Sequence, residues 1–284
     1  MISYESLRDA TCEAYRKCLV EVPKDIVDAL RIAREAEINP DAIWAIDNMI
    51  AAALLAKEKN SPVCADIGIP SMDIRIGTEI RVPKDLPNAV RDGMMQMHSR
   101  MGIEPKTLLM PIDKTEGLAP IAHYESVVGK DYVEIVAVPK GGGTEPKSIA
   151  KVFDPATPAI IKKWVIDYIA EIAGKACPPY VVGLGIGGNM AIVAQLAMQA
   201  TLRPVNAWHP NPAVAAWEHE MTEAINELGW GPVGVGGKTS CFCVHIETAV
   251  TSLRWCPVAF CLKCWPNRRG IVRVYSDGRI EPIE

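Results

Sequence analysis

The feature that most constrains this chain is the segment 177–189, which reads CPPYVVGLGIGGN. A cysteine is followed directly by two prolines, and glycines then occupy positions 183, 185, 187 and 188. Proline fixes the local backbone, whereas glycine lets main-chain N–H groups approach a bound group closely. The segment therefore predicts a backbone folded tightly around an anion or an inorganic cluster, and the thiol of Cys177 favours a cluster.

A dinucleotide site is an alternative, because Gly183, Gly185 and Gly188 match the pattern G-x-G-x-x-G. That motif needs a full strand before it, a helix after it and an acidic residue about 20 positions further on. Only residues 180–182 are available for a strand after the prolines, and no acidic residue occurs between Asn189 and Glu218. We therefore rank this alternative below a purely structural one, a tight turn from a strand into a helix.

Length and charge narrow the class of protein. A chain of 284 residues can bury a sizeable core, and a net charge of −4 provides no basic surface for nucleic acid. No uncharged apolar run reaches about 18 residues, and the N-terminus, with Glu5, Arg8 and Asp9, does not resemble a signal peptide. We expect a cytoplasmic protein that binds neither nucleic acid nor a membrane.

Nine cysteines are many for a cytoplasmic chain, and an odd number argues against a closed set of disulfides. In a reducing compartment, thiols outside the core are more often metal ligands or reactive groups. Cys12 and Cys18 lie in a predicted helix and are most simply core residues. Some of the other cysteines are therefore expected to bind metal.

Hydrophobic periodicity predicts an α+β fold, in which N-terminal helices are followed by a mixed sheet with further helices. We expect a single domain over 1–284, with residues 1–60 as its helical N-terminal part. Helices are predicted over 2–20, 24–37, 40–59, 86–102, 157–176, 191–201 and 211–228. Strands are predicted over 72–77, within 127–138, around 244–246 and 257–260, and in a hairpin over 271–283.

Cys64 lies in a loop that enters the predicted strand 72–77, where a side chain can point into a cleft. Asp66, two residues later, can accept a hydrogen bond from a substrate hydroxyl or can simply cap a turn. Further along, the glycines at 141–143 are flanked by Lys140, Thr144 and Lys147. They predict a nest of N–H donors for a carboxylate or phosphate, with a flexible hairpin tip as the alternative.

The cysteines allow two metal sites. Cys241, Cys243, Cys261 and Cys264 approach a zinc-ribbon spacing, although the first pair has only one intervening residue and the segment between the pairs is apolar. The other set is Cys64, Cys177 and one cysteine from 256–264. Three thiolates on a [4Fe–4S] cluster leave one iron open as a Lewis acid for a hydroxyl and a carboxylate, which is the chemistry of a hydratase.

Taken together, the motifs resemble the α subunit of the iron–sulfur class I fumarase and L-tartrate dehydratase family. The similarity runs from about residue 5 to residue 280. The motifs are C-x-D-x-G at 64–68, PKGGGTE at 139–145, CPP and G-x-G-x-G-G within 177–188, GGKT at 236–239, VHIET at 244–248 and CW-x-x-RR at 264–269.

The resemblance implies that Cys64, Cys177 and Cys264 hold a [4Fe–4S] cluster. It implies a hydro-lyase whose open iron binds a small 2-hydroxy di- or tricarboxylic acid of the fumarate/malate or tartrate type. Asp66 is then a catalytic residue, and the substrate-binding residues are Gly141, Gly142, Gly143 and Lys238. The family's β part, which supplies the base, has no counterpart in this sequence, so a separate β subunit is expected. The resemblance also implies a homo- or hetero-oligomer, with α₂β₂ as the expected assembly.

The chain departs from the family pattern at several positions. Ala65 and Ile67 flank Asp66 in place of Gln and Thr, Ser252 replaces a substrate-contacting histidine, and the segment with Lys114 replaces one that carries an arginine. Ser252 and Lys114 are therefore candidate catalytic positions with altered chemistry. Two hypotheses remain: a hydro-lyase α subunit for an altered acid, or a catalytically weakened iron–sulfur subunit for assembly or sensing. His245, in an apolar strand, is expected to be a core residue in either case.

Overall fold

The computed structural model of the chain describes residues 1–103, 107–172 and 175–283. The predicted α+β fold is confirmed. The helices are α1 (Tyr4–Val20), α2 (Lys24–Ala36), α3 (Pro40–Lys59), α4 (Leu86–Met101), α5 (Pro158–Ile172), α6 (Met190–Ala200) and α7 (Pro212–Glu227). The strands are β1 (Ile69–Gly77), β2 (Thr107–Met110), β3 (Thr115–Gly117), β4 (Ile121–Val127), β5 (Tyr132–Lys140), β6 (Ile149–Phe153), β7 (Tyr180–Ile186), β8 (Cys241–Thr248), β9 (Cys256–Lys263), β10 (Gly270–Tyr275) and β11 (Ile280–Ile283).

Contacts within the chain fall into two compact units, and the single domain remains a prediction. Unit 1 comprises Met1–Pro23, Ala53–Gly141 and Arg268–Glu284, and unit 2 comprises Lys24–Ala52 and Gly142–Asn267. The division therefore falls inside α3 and inside the glycine triplet 141–143. None of the described helices is both long and apolar enough to cross a membrane.

Unit 1 is a five-stranded sheet, in the order β11-β10-β5-β1-β4, with α1 and α4 packed against one face. β1 pairs with β4 in parallel and with β5 antiparallel. The alternating sequence of β1 turns Met72 and Ile74 into the core beside α1 residues such as Leu7 and Tyr15. Each such fully buried side chain contributes about 1.5–3 kcal/mol to stability.

Unit 2 is a four-stranded sheet, in the order β6-β9-β7-β8, with helices on both faces. β7 runs parallel to β8 and antiparallel to β9. Val182 and Leu184 of β7 pack with α5 and α7, whereas Val193 and Ala197 of α6 pack on the opposite face. The chain therefore builds a helix–sheet–helix sandwich around β7.

The glycine-rich segment after Cys177 folds differently from the prediction. β7 continues through Gly183 and Gly185, where an added Cβ would lie 2.1 Å from the carbonyl oxygens of Ala197 and Val193 of α6, respectively. These two glycines allow α6 to pack closely on the sheet, so the prediction that they fold around a ligand is wrong. A seven-residue strand also removes the first objection to a dinucleotide motif, although no acidic residue lies between 189 and 218.

Beyond β7, the segment is the strand-to-helix turn that we considered as the structural alternative. Gly187 and Gly188 adopt φ values of 99° and 71°, and the Asn189 side chain caps the first N–H groups of α6.

Helix α5 ends earlier than predicted. The predicted helix 157–176 includes residues 173 and 174, which lie outside the described residues, and Lys175 and Ala176 are not helical. The strands β2, β3, β4 and β6 were only partly predicted or missed, because their largely exposed residues lack a clear alternation of polar and apolar side chains.

Candidate active site and metal centre

Burial divides the nine cysteines into two groups. Six are buried, and these are Cys12, Cys18, Cys241, Cys243, Cys256 and Cys261. Cys177 is exposed, and Cys64 and Cys264 are partly exposed. A thiol buried in the apolar core is not accessible to a metal or a reagent. The three accessible cysteines are therefore the candidate ligands.

The turn that carries Cys177 is fixed by backbone hydrogen bonds to the carbonyl groups of Cys177 and Pro178. The N–H of Trp265 donates to the carbonyl oxygen of Cys177 at 3.1 Å, and the N–H of Val233 donates to that of Pro178 at 3.0 Å. Because Trp265 follows Cys264 directly, the first of these bonds ties the two cysteines together through the backbone.

Cys264 follows β9 and begins a turn in which the N–H of Asn267 donates to its carbonyl oxygen at 2.9 Å. A hydrogen bond from the Cys264 thiol lowers the pKa of Cys177 to about 6, against the opposing effect of burial. Cys177 is therefore largely a thiolate at neutral pH, which is the form that binds metals.

The zinc-ribbon alternative does not agree with the fold. In the parallel pairing, Tyr180 lies opposite Cys241 and Val181 lies opposite Cys243, so Phe242 forms a bulge between the two cysteines. Cys241 consequently packs in the core between the sheet, α5 and α7, whereas Cys243 lies beside His245, which contacts α6. In residues 1–103, 107–172 and 175–283, no three His, Cys, Asp or Glu side chains form a site for one metal ion.

In unit 1, the loop 64–68 is shaped by its contacts with the end of β5. Gly68 has a φ of 75°, and an added Cβ would lie 2.8 Å from the carbonyl carbon of Lys140. A Cβ at Gly141 would lie 2.7 Å from Oδ2 of Asp66, so this glycine is needed to admit the Asp66 carboxylate. The guanidinium Nη2 of Arg268 donates to the carbonyl oxygen of Asp66 at 2.7 Å. The Asp66 side chain is therefore exposed on a fixed loop.

The other end of the glycine triplet belongs to unit 2. A Cβ at Gly143 would lie 3.9 Å from Sγ of Cys264, so the backbone of residue 143 runs close to that thiol. The ammonium of Lys147 donates to the carbonyl oxygen of Gly143. Lys147 is therefore engaged with the triplet itself, and the predicted anion nest at 141–143 stays a prediction.

Comparison with known proteins shows which family the chain belongs to. A sequence model of the family described as "Fumarate hydratase (Fumerase)" matches residues 8–273. The chain belongs to this family. It is 31% identical over 284 residues to a protein of Methanocaldococcus jannaschii named "Putative L(+)-tartrate dehydratase subunit alpha", covering 96% of this chain and 99% of the relative. It is also 28% identical over 268 residues to the L(+)-tartrate dehydratase subunit alpha of Escherichia coli K12, covering 92% and 88%.

These findings confirm the resemblance on which the sequence analysis relied, and with it the prediction that the chain is a hydro-lyase. In this Fumerase-family chain, the match spans Cys64, Cys177 and Cys264 as well as Asp66. The roles of these individual residues remain predictions.

Three other predicted site residues lie outside the helices and strands. The backbone N–H of Lys238 donates to Oε2 of Glu37 at 2.7 Å, and its ammonium donates to the carbonyl oxygen of Ala36 at 2.8 Å. Lys114 lies exposed with a φ of 59° in the turn between β2 and β3. Ser252 accepts a hydrogen bond from the N–H of Arg254 at 3.2 Å. These positions and contacts do not by themselves assign any of the three residues a role toward substrate.

Sequence reasoning missed four residues that shape the candidate site. Arg268 and Trp265 belong to the motif CW-x-x-RR, but no role was predicted for them, although their proximity to Cys264 in the sequence was a usable signal. Val233 and Glu37 had no signal, because their importance depends on partners that are distant in the sequence.

Proposed function

We propose that this chain is the iron–sulfur α subunit of a hydro-lyase that acts on a small 2-hydroxy di- or tricarboxylic acid. Cys64, Cys177 and Cys264 would hold a [4Fe–4S] cluster. The observation that carries the proposal is that these are the three cysteines of nine that are not buried, and that a hydrogen bond between two of them favours a thiolate.

The donor set fits such a cluster better than a single metal ion. A cubane cluster offers a separate iron to each thiolate, so its ligands need not converge on one point, and three thiolates leave one iron for substrate. Chain connectivity also supports the proposal. Gly141, which contacts Asp66, is two residues from Gly143, which runs beside Cys264. Arg268, which binds the Asp66 carbonyl, is four residues from Cys264.

When bound, the cluster supplies an open iron that acts as a Lewis acid toward a hydroxyl and a carboxylate. Asp66 would accept a hydrogen bond from the substrate hydroxyl and so hold that hydroxyl in a fixed orientation. Gly141 and Arg268 would hold Asp66 in place through the contacts described above. Lys114, Ser252, Lys238 and the glycines 141–143 are the remaining candidates for contacts with the substrate carboxylates.

The base that removes the adjacent proton would come from a separate β subunit. Relatives of this chain in Escherichia coli carry names that end in "subunit alpha", and this chain covers 88% of their length. We therefore propose a hetero-oligomer, of the α₂β₂ type, in which substrate lies between this chain and its partner. Residence in the cytoplasm, where an exposed cluster remains reduced, belongs to the same proposal.

The test is turnover by the anaerobically reconstituted chain, with and without the β chain encoded beside it, on malate, tartrate and citramalate. We expect turnover of at least one acid only with the partner, and loss of that turnover in Cys64→Ala but not in the matched core variant Cys256→Ala. A stable cluster without turnover on any acid in the presence of the partner would contradict the proposal. That outcome would favour the iron–sulfur assembly or sensor subunit instead.

A further inference from the structure

The glycine loop, defined as residues 229–239, connects α7 to β8 in unit 2. It turns so tightly that its five glycines, at 229, 231, 234, 236 and 237, all have positive φ. Val233 also has a φ of 47°, which is unfavourable for a β-branched residue. Residues with such strain persist only where the surrounding structure fixes them, so the loop requires an anchor.

The anchor is the carboxylate of Glu37, which is only 6% exposed just beyond the end of α2. Its Oε1 accepts hydrogen bonds from the N–H groups of Ile38 and Asn39 at 2.8 and 3.0 Å, and its Oε2 accepts one from the N–H of Lys238 at 2.7 Å. Burial alone would raise the pKa of Glu37, but hydrogen bonds from Asn39, Lys238 and Ile38 lower it. The side chain is therefore an ionised acceptor with both oxygens in use.

Two further contacts attach the same part of the glycine loop to the segment after α2. The side-chain amide of Asn39 donates to the carbonyl oxygens of Val235 and Gly236 at 3.2 and 3.1 Å. At position 237, an added Cβ would lie 2.6 Å from Oε2 of Glu37, so glycine is required there for the carboxylate to reach the backbone.

The opposite side of the glycine loop contacts the Cys177 turn. The strained residue Val233 donates its N–H to the carbonyl oxygen of Pro178, directly after Cys177. The N–H of Tyr180 in turn donates to the carbonyl oxygen of Ser240 at 2.9 Å. Hydrogen bonds therefore attach the glycine loop to Glu37 on one side and to the residue after the candidate ligand Cys177 on the other.

We propose that Glu37 is a positioning residue that acts through the glycine loop to hold the thiol of Cys177 beside that of Cys264. Its relevance to catalysis rests on the proposed function, whereas the positioning itself is a property of the metal-free thiol pair. Lys238 then contributes to the same anchor, through its N–H on Glu37 and its ammonium on Ala36.

The test measures how often the two thiols meet, without any cluster. In the metal-free full-length chain carrying Cys64→Ala, diamide is added and the rate of disulfide formation between Cys177 and Cys264 is followed by mass spectrometry. Glu37→Gln places an amide N–H₂ against a backbone N–H, which breaks one side of the anchor. We expect trapping to slow by about tenfold, the factor that corresponds to losing one hydrogen bond to a charged group. Hydrogen exchange at the Val233 amide should accelerate in parallel.

Glu35→Gln is the matched control, because Glu35 is exposed two residues away on α2 and the substitution is the same. In this control, the disulfide between Cys177 and Cys264 should form at the same rate as in the chain with Glu37 and Glu35 unchanged. If Glu37→Gln does not fold, Asn39→Ala decides. It removes the two bonds to the glycine loop, together with the bond that Oδ1 accepts from the N–H of Asp41, and we expect slowing of about tenfold. Trapping rates in Glu37→Gln and Asn39→Ala equal to that of Glu35→Gln would overturn the proposal.

The same preparations separate this inference from the proposed function. If the wild-type chain binds no cluster, the proposed function fails, but the trapping rates still decide the role of Glu37. If the wild-type chain binds a cluster, the electron paramagnetic resonance spectrum of the reduced cluster should shift in Glu37→Gln and stay unchanged in Glu35→Gln.

Discussion

Two cysteine pairs in unit 2 have the same side chains and opposite chemistry. Cys241 and Cys243 lie on β8 inside the sandwich, where burial raises the pKa of Cys241 to about 12 and that of Cys243 well above its ordinary value. Cys177 and Cys264 lie in turns at the ends of neighbouring strands, where their mutual hydrogen bond lowers the pKa of Cys177 to about 6. The tendency of a cysteine in this unit to ionise therefore follows from its position in the fold and not from its spacing in the sequence.

The largest expected difference between the pairs is their reactivity. At pH 7, a thiol with a pKa of about 6 is mostly thiolate, whereas one with a pKa of about 12 is ionised in about one molecule in 10⁵. We expect iodoacetamide to modify Cys177 of the metal-free chain at least about 10³ times faster than Cys241, as measured by mass spectrometry of the peptides.

The pH profile sharpens this prediction. Because the pKa of Cys177 is lowered, its alkylation rate should reach half its plateau near pH 6 and change little above pH 7. In denaturant, both thiols should instead show the ordinary midpoint near pH 8.5 and similar rates. Equal rates in the folded chain would contradict the comparison.

A smaller effect on cysteine reactivity is expected from a substitution in β7, which pairs with both β8 and β9. In Gly183→Ala, the new Cβ would lie 2.1 Å from the carbonyl oxygen of Ala197, and such overpacking costs about 3 kcal/mol. Unit 2 would open more often, so alkylation of Cys241 should accelerate by about 10² while Cys177 changes little. The control is Gly102→Ala at the end of α4 in unit 1. It has open space around it, and its φ of 63° places the strain of the substitution in unit 1, so Cys241 should stay unchanged. An unchanged Cys241 rate in Gly183→Ala would show that α6 does not need this glycine.

The smallest effect is expected at Cys261, which sequence reasoning left open as an alternative to Cys264. Cys261 is 4% exposed and packs with Val193, Ala197 and Ala259. Cys261→Ala removes one buried sulfur and should lower the free energy of unfolding by only about 1 kcal/mol, measured by urea denaturation. The reactivity of Cys177 should not change, whereas Cys264→Ala should return the pKa of Cys177 toward its ordinary value. A large change of Cys177 reactivity in Cys261→Ala would contradict the assignment.

The sequence predicted much of the fold, because amphipathic helices have a local signature. The bounds of α3 agree with the prediction, and those of α1, α2 and α7 differ by two residues at most. The path of β7 could not be predicted, because glycines at 183 and 185 have no side chain to show a pattern and their purpose is the close approach of α6. Local sequence carries no record of that tertiary contact.

The accessible cysteines of the candidate site could be selected from the sequence, and their roles as ligands stay a prediction. Family motifs selected Cys64, Cys177 and Cys264, and burial independently separates the same three from the other cysteines. The bulge at Phe242, which separates Cys241 from Cys243, is invisible in the C-x-C spacing. The link between Glu37 and Lys238 joins residues 201 positions apart, so only a folded chain could reveal it.

The most direct measurement is the iron and acid-labile sulfide content of single cysteine variants after anaerobic reconstitution. We expect Cys64→Ala, Cys177→Ala and Cys264→Ala each to lose the cluster, whereas the core variant Cys256→Ala should keep the full wild-type content. A full complement of iron in any of the first three, or its loss in Cys256→Ala, would contradict the assignment of the ligands.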